Sequence, residues 1–304
     1  MTGDAAALTP ETPDRSILGS GGVSIAVFRS GGGGSPIVLV HGATADHTTW
    51  RTSGPLLAAR HTLYAIDRRG RGASGDGGPR DGGALDGGAR DGASGAPYAI
   101  ELEFDDLVAV VDAIAAETGG PVDVVGHSYG GRIALGAALR TASVRRILCY
   151  EGAPPAPGHG YQPEDAGTLE RLEALAAAGD RDEALATFMR DIVGMPEPDL
   201  AAFRADPIWP RRAAAIDTTV RELRAETSPA GSIEALGSVR QPVLQVLGGE
   251  SSEAFAAATR ALDARLRDGR VVTIEGARHA AHHTHAPAFV AAVEAFLGDP
   301  DMAD

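Results

Sequence analysis

The chain has 304 residues, of which 43% are hydrophobic and 22% are charged, as in an ordinary globular protein with a large core. Its formal net charge of −14 argues against nucleic acid and against an anionic membrane as partners. A single cysteine excludes an internal disulfide, and no apolar run approaches the length of a membrane span. Residues 1–15 lack the basic start and apolar core of a secretory signal, so we expect a cytoplasmic protein with a disordered leader.

The first part of the chain alternates apolar strands with polar loops. Strands are predicted at Val23–Arg29, Pro36–His41 and His61–Ile66. The glycine-rich segment 30–35 precedes a strand and lacks the spacing of nucleotide-binding loops, which favours a flexible hairpin connection. Ala43 follows the second strand at the carboxyl edge of the sheet, where α/β sheets bind ligands. Its N–H is therefore a candidate hydrogen-bond donor to an oxyanion. The alternative is that this segment is only a turn from the strand into a loop. Trp50, further along the same loop, is a candidate substrate contact.

The third strand leads into a polar loop and then a low-complexity segment. Asp67 is expected to be structural, pairing with nearby arginines or accepting hydrogen bonds from backbone N–H groups of the loop. Residues 76–97 repeat Asp-Gly without the apolar residues that a calcium-binding solenoid needs, which predicts a flexible surface loop. Glu101–Glu117 has apolar residues at three- and four-residue steps and predicts an amphipathic helix.

A serine stands between the next strand and helix. Val122–Val125 reads as a buried strand, Arg132–Leu139 as a helix, and Gly126–Gly130 between them fits the pattern G-x-S-x-G. A strand that turns directly into a helix forces strained backbone geometry on its central residue, and the glycines let the two elements approach. This geometry holds a hydroxyl clear of the backbone, so Ser128 is the candidate nucleophile, with an ordinary tight turn as the alternative.

Helices dominate the middle of the chain before the strands resume. After a strand at Arg146–Tyr150, residues 151–235 read as a helical cap over the sheet edge. Phe203 and Trp209 are candidates for its pocket-facing side, although packing within the cap explains them equally well. Further strands are predicted at Pro242–Leu247 and Arg270–Ile274, with a closing helix at Pro287–Leu297. The alternation predicts an α/β fold with a mostly parallel sheet and helices on both faces.

The order of the chemical groups points to a family. A serine on a strand-to-helix turn comes first, an acid follows a later strand, and a histidine follows the last strand. With His41-Gly42, the Arg69–Ser74 loop and Gly249-Glu250, this order resembles the α/β-hydrolase family over roughly residues 23–297. The resemblance implies an eight-stranded type of sheet in a core of residues 16–150 and 236–298, with residues 299–304 as a tail. It also implies a Ser-His-acid triad, an oxyanion hole made by two backbone amides, and no cofactor.

The resemblance assigns roles to individual residues. His279 would be the base that activates Ser128, and the amides of Tyr129 and Ala43 would stabilise the oxyanion. Glu250, just after the strand where the family usually places its acid, is the expected third member, although an aspartate is more common there. Glu151, at the end of the preceding strand, is the main rival, and Glu253 is a weaker one.

The expected activity is that of a serine hydrolase for a small ester, thioester or lactone. Carbon–carbon bond hydrolases and cofactor-free perhydrolases use the same triad, and a non-catalytic ligand-binding protein of this fold is a further alternative. A zinc site from the neighbouring histidines 279, 282, 283 and 285 is disfavoured, because no carboxylate or cysteine completes a recognisable spacing. The partner is expected to be a small molecule.

Overall fold

A computed structural model describes residues 11–76, 98–156, 167–225 and 228–298. Within them, one eight-stranded sheet has the order β1-β2-β4-β3-β5-β6-β7-β8. The strands are β1 Arg15–Leu18, β2 Ser24–Ser30, β3 Pro36–Val40, β4 Thr62–Ile66, β5 Val122–His127, β6 Val144–Tyr150, β7 Val243–Gly248 and β8 Gly269–Ile274. The β1–β2 and β2–β4 pairs are antiparallel, and all other pairs are parallel. The predicted α/β class and mostly parallel sheet are confirmed.

Helices cover both faces of the sheet. They are α1 Gly54–Ala58, α2 Ile100–Thr118, α3 Tyr129–Ala138, α4 Thr168–Ala177, α5 Arg181–Thr187, α6 Glu197–Arg204, α7 Trp209–Ala214, α8 Ile216–Arg224, α9 Ile233–Leu236, α10 Glu253–Asp263, α11 Ala281–Thr284 and α12 Ala286–Leu297. Neighbours in β3 face opposite ways: Val40 packs in a core cluster with Phe104 of α2, and Leu39 packs in another with Phe289 of α12. Burial on both faces explains why the central strands are continuous apolar runs.

A helical insertion separates β6 from β7. It contains α4 to α9, and α4 to α8 bury a hydrophobic cluster of their own that includes Leu172, Leu185, Leu200 and Ile216. Its helices begin at Thr168 and end at Leu236. Arginine side chains of the loop after β4 reach it, since Arg71 donates hydrogen bonds to Thr219 and Glu222 of α8.

The edge of the sheet differs from the sequence prediction. Arg15, assigned above to a disordered leader, begins β1 and pairs with Val27 of β2. The strand was missed because it is only four residues long and alternates in burial rather than forming an apolar run. The rest of the leader up to residue 10, the loop from residue 77 to 97 and the tail 299–304 lie outside the described residues. In the part of the chain that is described, no helix combines the length and apolarity needed to span a membrane.

Candidate active site

Ser128 occupies a sharp turn between β5 and α3. Its backbone has φ 53° and ψ −125°, a conformation that non-glycine residues rarely adopt and that costs free energy. A neighbouring strand stabilises the turn: the N–H of Ser128 donates a hydrogen bond to the carbonyl of Tyr150 at the end of β6 (2.8 Å). The serine side chain lines a cavity at the carboxyl edge of the parallel strands.

The glycines around Ser128 are sterically required. A Cβ on Gly126 would lie 2.5 Å from the carbonyl oxygen of Gly130, and one on Gly130 would lie 2.3 Å from the carbonyl oxygen of Val40. Real Cβ atoms do not come this close to backbone atoms. The G-x-S-x-G pattern therefore reflects close packing of β5, α3 and β3.

His279 is held by a carboxylate from a neighbouring strand end. It follows β8, and its Nδ1 lies 2.6 Å from Oε2 of Glu151, which follows β6. Oε1 of Glu151 accepts a hydrogen bond from the N–H of Gly248 at 2.7 Å. The Glu151 side chain is fully buried, so both of its oxygens depend on these contacts. Glu151 itself has a positive φ of 44°, a second strained position beside Ser128.

The structure does not bring Glu250 to His279. Its side chain is 54% exposed and forms an ion pair with Arg278 at 3.0 Å. Glu253, the weaker rival, is exposed and forms an ion pair with Arg260. Glu250 was expected because it follows β7, but β6 and β7 are adjacent and end at the same sheet edge. Sequence order could not tell which of the two strand ends carries its carboxylate to the imidazole, and the geometry selects Glu151.

The cavity has a polar end and an apolar wall. Ser128, His279, Glu151, Ala43 and Tyr129 all line it, so the two proposed oxyanion residues are beside the serine. The insertion and α10 provide the apolar part of the lining: Phe188, Ile192, Val193, Leu223, Ala254, Phe255 and Ala258. The ring of Phe255 stacks on the imidazole of His279 with centroids 4.3 Å apart. The cavity volume is about 40 Å³, which suits a small group.

The three predicted substrate contacts lie elsewhere. Trp50 is buried in the core, where its ring packs near His282 and Phe289. Phe203 and Trp209 pack edge to face against each other at 5.1 Å inside the insertion, and neither lines the cavity. Large aromatic residues were chosen because they often line pockets, but their area stabilises a core equally well. The two phenylalanines that do line the cavity, Phe188 and Phe255, carried no distinguishing pattern in the sequence.

Two histidines lie next to His279, of which His282 is buried and His127 is partly buried. Nε2 of His127 lies 2.7 Å from the carbonyl oxygen of His279, and this contact links the loop after β8 to β5. Nε2 of His282 lies 3.1 Å from Oγ1 of Thr49. Burial, with other nearby positive or titrating groups, holds the pKa of both His127 and His282 well below the usual value. Both rings are therefore uncharged at neutral pH.

Possible metal ligands come together at a different place from the histidines considered above. Among the described residues, the group close enough to share a cation is Asp46, His47 and Asp67. Oδ1 of Asp67 accepts hydrogen bonds from the N–H and Nδ1 of His47 at 2.8 Å, and Oδ2 accepts from the N–H of Ala73 at 2.7 Å. These bonds match the predicted structural role of Asp67 as an acceptor for backbone N–H groups. Its expected arginine partners bind other carboxylates instead.

A buried ionic network next to the cavity was not predicted. Arg68 donates to both oxygens of Glu103 at 2.7 and 2.8 Å, and to Oε1 of Glu222 at 2.5 Å. Arg71 donates to the same Oε1 at 2.9 Å. The run of arginines after Asp67 was a visible signal, but their partners are 35 to 154 residues away in the chain.

Comparison with known proteins agrees with this architecture. A pimeloyl-(acyl-carrier protein) methyl ester esterase from Neisseria meningitidis serogroup A is 26% identical over 271 residues, which cover 87% of this chain and 78% of that protein. A 2-hydroxy-6-oxo-2,4-heptadienoate hydrolase from Pseudomonas putida is 30% identical over 125 residues, 40% of this chain and 38% of that one.

A solved structure and a family model extend the comparison. An α/β hydrolase from Sphaerobacter thermophilus matches with a TM-score of 0.71 and 29% identity, covering 91% of this chain and 99% of that one. The model of the alpha/beta hydrolase family matches residues 37–293. The chain therefore belongs to the alpha/beta hydrolase family and is a hydrolase.

Proposed function

We propose that the protein is a serine hydrolase that cleaves a small carboxylic ester, thioester or lactone. The observation that carries the proposal is that three groups lie together. Ser128 is on a strained turn, His279 lines the same cavity, and Oε2 of Glu151 lies 2.6 Å from Nδ1 of the His279 imidazole. A hydroxyl is a weak nucleophile, and this arrangement supplies the base and the group that orients it.

The reaction would proceed through an acyl-enzyme. Nε2 of His279 accepts the proton of Ser128 as its oxygen attacks the carbonyl carbon, while Glu151 stabilises the imidazolium that forms. The N–H groups of Tyr129 and Ala43 would bind the oxyanion. His279 then protonates the leaving group, and a water molecule activated by the same histidine releases the acid and restores Ser128.

Two observations indicate the class of substrate: the apolar lining of the cavity and the activities named for the relatives. Apolar residues of the insertion and of α10 line the cavity together with Ser128, and this lining suits a short acyl chain. We propose that residues 151–235 act as a cap that covers the substrate. The relative from Neisseria is named a methyl ester esterase, which favours ester chemistry. The relative from Pseudomonas putida, named a hydrolase of a dienoate, favours carbon–carbon bond hydrolysis as the second candidate. We propose the cytoplasm as the location.

Activity and labelling assays test the proposal. Wild type should hydrolyse p-nitrophenyl acetate or butyrate, and Ser128→Ala and His279→Ala should each lose at least about a thousandfold in kcat. A fluorophosphonate should label Ser128, whereas Ser238→Ala, which removes an exposed hydroxyl far from the triad in sequence, should be labelled like wild type. Equal activity in wild type and Ser128→Ala would refute the proposal. Cleavage of a vinylogous 1,5-diketone but of no ester would favour the second candidate.

A further inference from the structure

Glu222 places a buried carboxylate in the wall of the cavity. It belongs to α8 of the helical insertion, and its side chain is only 2% exposed. Its neighbours Thr219 and Leu223 on the same helix also line the cavity. A charged side chain in this position is costly unless its oxygens are hydrogen-bonded.

The two oxygens of Glu222 differ in their partners. Oε1 accepts hydrogen bonds from Nη2 of Arg68 and from Nη2 of Arg71. Oε2 is also buried, and no side chain or backbone group in the described part of the chain forms a hydrogen bond with it. Buried acceptors in folded proteins nearly always have a donor, so an unpartnered one in a cavity wall suggests that a ligand supplies it.

The surrounding charges indicate what kind of donor fits. Arg68 and Arg71 are balanced by Glu103 and Glu222, and all four side chains are at most 2% exposed. A substrate ammonium would have to lose its hydration beside carboxylates that are already neutralised, whereas a hydroxyl loses far less hydration.

We propose that the substrate carries a hydroxyl group, and that Oε2 of Glu222 accepts its hydrogen bond. This inference rests on the proposed function, because it concerns the substrate of the same site. It deepens that function from small esters in general to hydroxy esters. A site built to bind a hydroxyl discriminates strongly against analogues that lack the donor, because its own buried acceptor is then left unpaired.

Pairs of hydroxy and methoxy esters test the proposal, since a methoxy oxygen can accept but not donate a hydrogen bond. The panel contains the methyl esters of 2-, 3- and 4-hydroxybutyrate and of the matching methoxybutyrates, 2-hydroxyethyl and 2-methoxyethyl butyrate, and methyl butyrate. We expect wild type to favour at least one hydroxy ester over its methoxy partner by about tenfold or more in kcat/KM. Hydrolysis of methyl butyrate with no preference above twofold in any pair overturns this inference alone. Hydrolysis of no ester in the panel overturns the proposed ester hydrolysis together with it.

Two matched variants test whether Glu222 is the residue that produces the preference for hydroxy esters. In Glu222→Gln, the carbonyl oxygen of the amide can still face the arginines, while its N–H₂ donor replaces the acceptor Oε2. The ratio of kcat/KM for the hydroxy ester to that for its methoxy partner should therefore fall to about one or below. Glu103→Gln removes the same charge from the same Arg68 network but lies outside the cavity lining, and it should keep the preference. Loss of the preference in both variants, or in neither, contradicts the role of Glu222. If Glu222→Gln shows no cooperative thermal unfolding, the wild-type panel alone decides.

Discussion

Nδ1 of His279 and Oε2 of Glu151 lie 2.6 Å apart although the two residues are separated by 128 positions in the chain. Their meeting depends on three adjacent parallel strands, β6, β7 and β8, whose carboxyl ends lie at one edge of the sheet. Glu250 follows the middle strand of the three, but its exposed side chain forms an ion pair with Arg278. The pairing of Glu151 with His279 has a direct kinetic consequence.

Glu151→Gln should reduce kcat for p-nitrophenyl butyrate by about a thousandfold to ten-thousandfold. The amide of glutamine would place a donor against Nδ1 and favour the wrong tautomer of His279, an effect known to be of this size in triads. Glu250→Gln is the matched control and should retain at least about half of the wild-type kcat, because its side chain faces solvent. A loss confined to Glu250→Gln would show that the acid is misassigned.

Gly126→Ala should destabilise the fold by more than about 2 kcal/mol. Its Cβ would lie 2.5 Å from the carbonyl oxygen of Gly130, so β5 and α3 would have to move apart. Gly120→Ala is the control, because an added Cβ there meets no atom within 4 Å, and its effect should be within about 0.5 kcal/mol. Urea unfolding of the two variants measures the difference. Equal stability would mean that the contact around the serine is not tight.

The pKa shifts of two histidines, His127 and His282, should make stability depend on pH. Burial keeps the pKa of His127 and His282 well below 6.5, so the folded protein does not protonate them near pH 6. The unfolded chain does bind these protons below about pH 6.5, which means that stability is lost as the pH falls. Each histidine should contribute a slope of up to about 1.4 kcal/mol per pH unit below its unfolded pKa.

His282→Gln should flatten this slope between pH 5 and 7 in urea unfolding experiments. His285→Gln, in the same loop but partly exposed, is the control and should leave the slope close to wild type. Asp106 acts in the opposite direction, because burial raises its folded pKa to about 6 and its contribution is lost as the pH rises through that value. Both variants retain Asp106, so the comparison isolates the histidine. An unchanged slope in His282→Gln would indicate that this ring is charged in the fold.

Phe188→Ala should shift the chain-length preference towards longer acyl groups. The ring lies in the cavity wall, and its removal opens space near the serine. We expect the ratio of kcat/KM for p-nitrophenyl octanoate to that for acetate to rise by about tenfold. Phe203→Ala removes a ring that packs against Trp209 instead, so it should lower the melting temperature and leave the ratio unchanged. If both variants shift the ratio equally, the change in chain-length preference does not come from the loss of a ring in the cavity wall.

The sequence alone was sufficient for the features that depend on local patterns. Short continuous apolar runs and their alternation with helices predicted the α/β class, and the glycines flanking Ser128 predicted the turn between β5 and α3. The turn is only partly local: a Cβ on Gly126 would meet Gly130, which is close in sequence, whereas a Cβ on Gly130 would meet the carbonyl oxygen of Val40 on β3. His279 was found by its position after the last strand.

Contacts between distant residues were decided only by the tertiary structure. Glu151 and Glu250 both follow strands at the same sheet edge, and only the packing of β6 against β7 determines which carboxylate is buried. Trp50 and Trp209 look like pocket residues in sequence, but their large apolar areas are buried in cores. Glu222 and its arginines are far apart in the chain, and nothing local to α8 shows that a carboxylate there faces a cavity. Side-chain environment is set by which elements pack together, and that information is not contained in any short segment of the chain.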